Sequence, residues 1–335
     1  MADTGLAPNH SLAMLLQALT PEEGKLEQLA KQGLDAAGEA ALRDRTRRHL
    51  EAFLSRTTQD IIISGEGLTS GRMTAPRIAR LLDWLAPFFD RFRAVAYVRP
   101  PADLVVSMFQ QRVRNRLDRF TLPVVAYRDK LEPWVQLLGA DQVVLRPYLR
   151  DHLVGGDVVR DFAHLLGLDG ARLRALPPQN TGLPAGAVAL LYLWNRQGRV
   201  FLPGPDAPRR KRKFIARLAQ VGGPSFGFAR PLLARHVAGR RADLDWLGQW
   251  IEAPMDQLPP EAACQVATQE DMDALALAQA PALQALAQTP APARALEGLG
   301  RQMQRLAPHT VRLPPELVQA HGLGNEAVAA YLAQR

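Results

Sequence analysis

With 335 residues, 47% of them hydrophobic, the chain can bury one large core with helices appended, and no apolar run nears the ~20 residues of a bilayer-spanning helix. A single cysteine, Cys264, excludes an internal disulfide framework and reads as an unreactive apolar side chain in a reducing, cytoplasmic setting; no signal peptide is read at the N-terminus. The net charge of +8 suits an acidic partner: a nucleotide, an anionic glycan or lipid, or nucleic acid.

Residues 11–54 read as helical, with Pro21-Glu22-Glu23 as a start and charged faces such as Arg43 to Arg48. Short apolar runs predict strands at 60–64, 94–98 and 142–146. Helices are predicted between them at 75–90, 101–117 and 121–138. Such alternation predicts an α/β fold: a parallel sheet with flanking helices. More helices are predicted at 157–167, 185–197, 209–220 and 228–251. Pro259-Pro260 marks a boundary between an α/β domain, 1–258, and a helical C-terminal extension, 259–335, rich in Ala, Leu and Gln.

The chemistry sits at strand ends, where ligands of parallel α/β sheets bind. The first strand leads into Ser64-Gly65-Glu66 and the second into Arg99. Arginine is a permanent cation with a planar fork of donors, suited to phosphate or sulfate. Ser107 lies roughly 9 Å along the following helix from Pro101, so Arg99 and Ser107 could grip one phosphate. The alternative is an arginine on loop carbonyls and a serine packed in the helix. Glu66 is a candidate general base between two glycines, Gly65 and Gly67, that leave room for backbone and substrate. Its alternative is a cap, or a pair with Arg72. No His/Cys/Asp cluster has metal-ligand spacing.

The run Val98-Arg99-Pro100-Pro101-Ala102-Asp103-Leu104-Val105-Val106-Ser107 resembles the 3′-phosphate-binding element of sulfotransferases that use 3′-phosphoadenosine 5′-phosphosulfate. Met108 to Val113 resembles their bacterial branch. Trp134 to Arg146, Gly155-Gly156-Asp157 through Leu168, Gln179-Asn180-Thr181-Gly182-Leu183 before Trp194-Asn195-Arg196, and Asp243 to Trp250 resemble later segments in order. Thr181 and Gly182 depart from the family's Asn-x-Ser-Leu. Together these cover roughly residues 60–255.

The resemblance implies a P-loop NTPase-like fold and sulfuryl transfer to a hydroxyl of a carbohydrate, lipid or small metabolite, with no metal. It implies Glu66 as base, Arg99 and Ser107 on the nucleotide, Ser64 on a nucleotide phosphate or an acceptor oxygen, and His10 and Arg72 near the acceptor, with His49 and Arg112 open. The family's glycine-rich 5′-phosphosulfate loop is not found. Leu6 to Leu16 resembles the segment just beyond that loop and its helix in the family, so the chain is expected to start late and either to be poorly soluble or to dimerise through the gap. A catalytically inactive relative that binds a nucleotide or polyanion is the alternative.

The run Arg209-Arg210-Lys211-Arg212-Lys213, with Arg217 one turn on, reads either as a polyanion-binding patch or as a solvated helix start. A basic adaptor on nucleic acid or membrane surfaces is a third class. Sparse aromatics and the absence of base-reading motifs argue against a nucleic-acid partner.

Overall fold

The computed structural model describes residues 9–23, 26, 29, 34–169, 182–204 and 206–334. The elements run α1 (Ser11–Ala18), α2 (Ala36–Leu54), α3 (Ala75–Leu85), β1 (Ala94–Val98), α4 (Pro101–Arg114), α5 (Tyr127–Leu138), β2 (Val143–Pro147), α6 (Val158–Leu165), α7 (Ala185–Arg196), β3 (Arg199–Phe201) and α8 (Ala207–Leu218). They continue with β4 (Phe226–Phe228), α9 (Arg230–Ala238), α10 (Arg241–Leu247), β5 (Cys264–Val266), α11 (Gln269–Ala278), α12 (Ala280–Ala287), α13 (Leu296–Leu306), β6 (Thr310–Arg312), α14 (Pro315–His321) and α15 (Asn325–Ala333). The chain is α/β and forms two compact units. One comprises the described residues of Met1–Val98, Ala126–Pro147 and Ala242–Glu252; the other, those of Arg99–Val125, Tyr148–Arg241 and Ala253–Arg335.

In the first unit, β1 and β2 pair in parallel, register Ala94↔Val143 through Val98↔Pro147. The strand expected at 60–64 is corrected: that stretch is irregular and joins no sheet. An apolar run becomes a strand only where a neighbour offers a free edge. Here its end bonds instead to the residue before α1, His10, whose N–H donates to the Ser64 carbonyl at 2.8 Å. The core of this unit is helical, built on α1, which buries every residue but Gln17. Ile78, Leu81 and Leu85 of α3 and Leu42, Leu50 and Leu54 of α2 join it.

The helix expected from 121 begins only at Tyr127. Pro123 removes a backbone donor ahead of it. Asp243 then supplies a cap from far along the chain: its carboxylate accepts from the Tyr127 and Arg128 N–H groups, both at 2.8 Å.

The second unit is organised around α7, which is apolar on all sides and buried from Ala185 through Asn195. Asn195 donates to the Val113 and Leu117 carbonyls at 2.8 and 3.0 Å, satisfying the last turn of α4. Phe109 of α4 stacks on Phe226 with centroids 5.4 Å apart and meets Phe228 edge-on at 5.0 Å. Two short sheets appear that the sequence did not announce: parallel β4–β5 and antiparallel β3–β6. Through β5 and β6, and through α11 packed on α7, the Ala- and Leu-rich C-terminal segment is tied into this unit. The helix expected over 228–251 is two helices, α9 and α10, divided at Gly239-Arg240. Glycine costs about 1 kcal/mol inside a helix and favours the break.

Candidate functional site

Val98 and Pro147 end the parallel pair as register partners, so Arg99 and Tyr148 step off the two strands at the same level. The Arg99 guanidinium lies over the Tyr148 ring, 4.4 Å from its centroid. A guanidinium stacked on a ring points its N–H edges sideways, an orientation suited to donating in a fork. Arg99 is exposed and Tyr148 half-buried. Tyr148 is a residue that sequence reasoning missed; its place directly after the second parallel strand was the available signal.

Pro100 and Pro101 start α4, because proline at a first helical position loses no bond and presets φ. Asp103 and Ser107 are four apart and share one side of the helix. Burial pushes the half-buried Asp103 carboxyl up, while the Arg99 charge pulls it back. Ser107 is exposed, as is Arg112 further along. A cleft of about 350 Å³ opens beside Asp103 and Val106 of α4, bordered also by Phe226, Phe228, Arg230 and Pro260; Arg99 and Ser107 are not among its lining residues. Its apolar walls with a few polar groups match the ordinary make-up of a small-molecule site.

The first unit brings His10 and Ser64 together. The Ser64 N–H donates to His10 Nδ1 at 3.1 Å, the return half of the bond from His10 N–H to the Ser64 carbonyl. Nδ1 as acceptor places the ring proton on Nε2. Glu66 opens a single 3₁₀ turn, Glu66–Thr69, with its side chain exposed. The flanking glycines admit backbone, as expected of them, and that backbone is the start of α1. A Cβ on Gly65 would sit 2.8 Å from the Ser11 backbone nitrogen and hydroxyl, and one on Gly67 2.9 Å from Ser11 Cβ. Both glycines admit the start of α1, and the Gly67 N–H donates to Ser11 Oγ at 2.9 Å. Ser11, buried, went unnoticed in the sequence because a helix-start serine has no mark of long-range contact. Arg72 is exposed, with its carbonyl accepting from Arg77 at 2.7 Å. His49 is exposed on α2.

Glu66, Ser64, His10 and Arg72 thus belong to the first unit, and Arg99 and Ser107 to the second. Gln179, Asn180 and Thr181 lie outside the described residues. Leu183, just after them, donates its N–H to Gln110 Oε1 at 2.9 Å. Burial pushes the Cys264 thiol up, away from the reactive thiolate. Among the described residues, no three His, Cys, Asp or Glu side chains gather as a metal site. No family model, curated protein or solved structure matches the chain.

Proposed function

We propose that the chain is a sulfotransferase-like protein of P-loop NTPase-like architecture. On this reading it binds 3′-phosphoadenosine 5′-phosphosulfate and passes the sulfuryl group to a hydroxyl of a carbohydrate, lipid or small metabolite. The observation that carries the reading is the Arg99–Tyr148 stack at the ends of a parallel strand pair, with Ser107 on the helix that follows. Arg99 would donate in a fork to two oxygens of the 3′-phosphate and Ser107 to a third. The cleft beside Asp103 and Val106, about one turn or less along α4 from Ser107, would take the adenosine moiety.

In the transfer, a bond forms between the acceptor oxygen and sulfur as the bond from sulfur to the nucleotide's 5′-phosphate oxygen breaks. A general base, the role that the family resemblance gives to Glu66, takes the acceptor's proton, and 3′-phosphoadenosine 5′-phosphate leaves. Cations and positioning supply most of the catalysis in such loose displacements. The lone, unreactive Cys264 suits work in the reducing cytoplasm.

Calorimetric titration with 3′-phosphoadenosine 5′-phosphate tests the reading. Saturable binding to wild type, lost when Val106→Trp fills the cleft, is the expected result. No binding to a wild type that unfolds cooperatively overturns it.

One observation favours a second reading, an inactive nucleotide-binding relative. The space that Gly65 and Gly67 would offer a substrate beside Glu66 is taken by Ser11. Nucleotide binding with no sulfuryl transfer to any of a panel of sugars, lipids and phenols would select it.

A further inference from the structure

The cationic run Arg209 to Lys213 has no part in the nucleotide reading. It forms the early turns of α8, with Arg217 one turn further. Phe214 and Leu218, four apart, are the buried positions. Phe214 packs on Trp194 and Phe201, ring centroids 4.7 and 5.7 Å away. That anchorage settles which side of the helix faces out. At 100° per residue, Arg209, Arg212, Lys213 and Arg217 fall within a sector of about 140°, spread over about 12 Å of axis. All four are exposed. Among the described residues none of them enters an ion pair, and α8 itself contains no acidic residue. Arg210, half-buried at the margin, bonds the Leu202 carbonyl at 3.2 Å. The outward row is therefore four like charges on a rigid support, with Asp206 just before the helix as the nearest acidic residue in sequence, and an outside anion relieves their mutual repulsion.

We propose that this face of α8 binds double-stranded nucleic acid through its phosphate backbone, without reading bases. Duplex DNA carries one charge per ~1.7 Å of axis, so a ~12 Å row meets enough phosphates for every cation to displace a counterion. A rigid duplex on a rigid helix loses little conformational freedom, whereas a flexible, sparser glycan loses more on docking. The face exposes no aromatic ring on which single-stranded bases could stack. It has no large apolar side chain to enter a membrane, because Phe214 and Leu218 are used inside the fold. Motifs that read base edges are not needed for backbone contact.

The test is fluorescence anisotropy of a labelled random-sequence DNA duplex with the full chain, from about 50 to about 200 mM salt. Four phosphate contacts give a slope of log K against log salt near −3.6, so affinity falls roughly 150-fold across that range. Joint substitution R209A, R212A, K213A and R217A should abolish binding while leaving the circular-dichroism melt unchanged. The milder pair Arg212→Gln and Arg217→Gln, a safeguard against misfolding, should flatten the slope by about 1.8. Duplex affinity and slope unchanged in a folded variant overturn the proposal. So does a sulfated polysaccharide, an anionic vesicle or a single strand bound through these residues when the duplex is not.

Discussion

His10 and Ser64 are each other's partners: His10 N–H donates to the Ser64 carbonyl at 2.8 Å, and Ser64 N–H donates to His10 Nδ1 at 3.1 Å. This pair of bonds, with Ile61 and Ile63 packed against the core, takes the place of a sheet ladder in holding the 60–64 segment. His10→Ala removes one bond and leaves the Ser64 N–H without it, at a cost of about 0.5–1.5 kcal/mol. Ser64→Ala keeps both bonds, since neither uses the hydroxyl, and its stability should match wild type. Urea titration of the two variants reads the difference. A loss of nucleotide affinity in Ser64→Ala would show its hydroxyl on the ligand.

Gly65→Ala should be more damaging than its exposed surroundings suggest. Its new Cβ would fall 2.8 Å from Ser11 N, a backbone atom that cannot swing aside. Overpacking of this kind costs about 1–3 kcal/mol. Denaturant unfolding should show a lower midpoint with an unchanged slope. By contrast Gly71, beside which a Cβ meets nothing within 4 Å, should accept alanine at little cost.

Arg99→Ala should weaken 3′-phosphoadenosine 5′-phosphate by about 1.5–3 kcal/mol, the worth of a charged hydrogen bond. Arg99→Lys should recover only part of this, because an ammonium lacks the planar fork. Tyr148→Ala removes the ring under the guanidinium and should cost about 0.5–1 kcal/mol of the same affinity. Equal calorimetric affinities across wild type and these variants would refute the phosphate assignment.

Glu66→Gln should lower sulfuryl transfer by roughly 10²–10⁴ while leaving nucleotide affinity and melting temperature near wild type. Turnover with a radiolabelled sulfuryl donor measures it. An unchanged rate moves the base elsewhere, and His10, whose Nδ1 would first have to give up the bond from the Ser64 N–H, is the next residue to substitute.

Glu23 provides a pH dependence. Its carboxylate accepts from the Thr20 N–H at 2.7 Å, from Arg80 at 2.8 Å and from Arg77 at 3.3 Å. These contacts, the Thr20 bond foremost, hold its pKa down to about 2. The unfolded value is near 4.3. The folded state therefore binds this proton less readily than the unfolded one. The contribution is complete above about pH 4.3 and fades as pH falls toward 2. Between pH 5 and about 2.5, urea midpoints should fall less steeply for Glu23→Gln than for wild type.

Much of the fold could be read from local pattern. The Ala94–Val98 strand, the helix opened by Pro101 and the all-apolar helix ending in Trp194-Asn195-Arg196 stand where the sequence puts them. Each rests on signals carried within a few residues: apolar runs, proline at a first helical turn, unbroken apolarity. The three-residue strands β3 to β6 were not readable, because so short a run carries no periodicity and exists only through its partner.

The sequence by itself determined the helix-rich α/β character, the exposed basic run and the presence of an arginine and a serine around a strand-to-helix turn. Those properties follow from side-chain chemistry and near-neighbour spacing. The tertiary structure alone decided that 60–64 pairs with His10 rather than with a sheet and that Gly65 and Gly67 make room for Ser11. It also placed Tyr148 under Arg99, set Asp243 as the cap of α5, and turned four of the α8 cations outward by burying Phe214 and Leu218. Each of these depends on contacts between residues far apart in the chain. A strand needs an edge, a cap needs a helix end, and a glycine needs a close neighbour; none of these is written beside the residue that requires it.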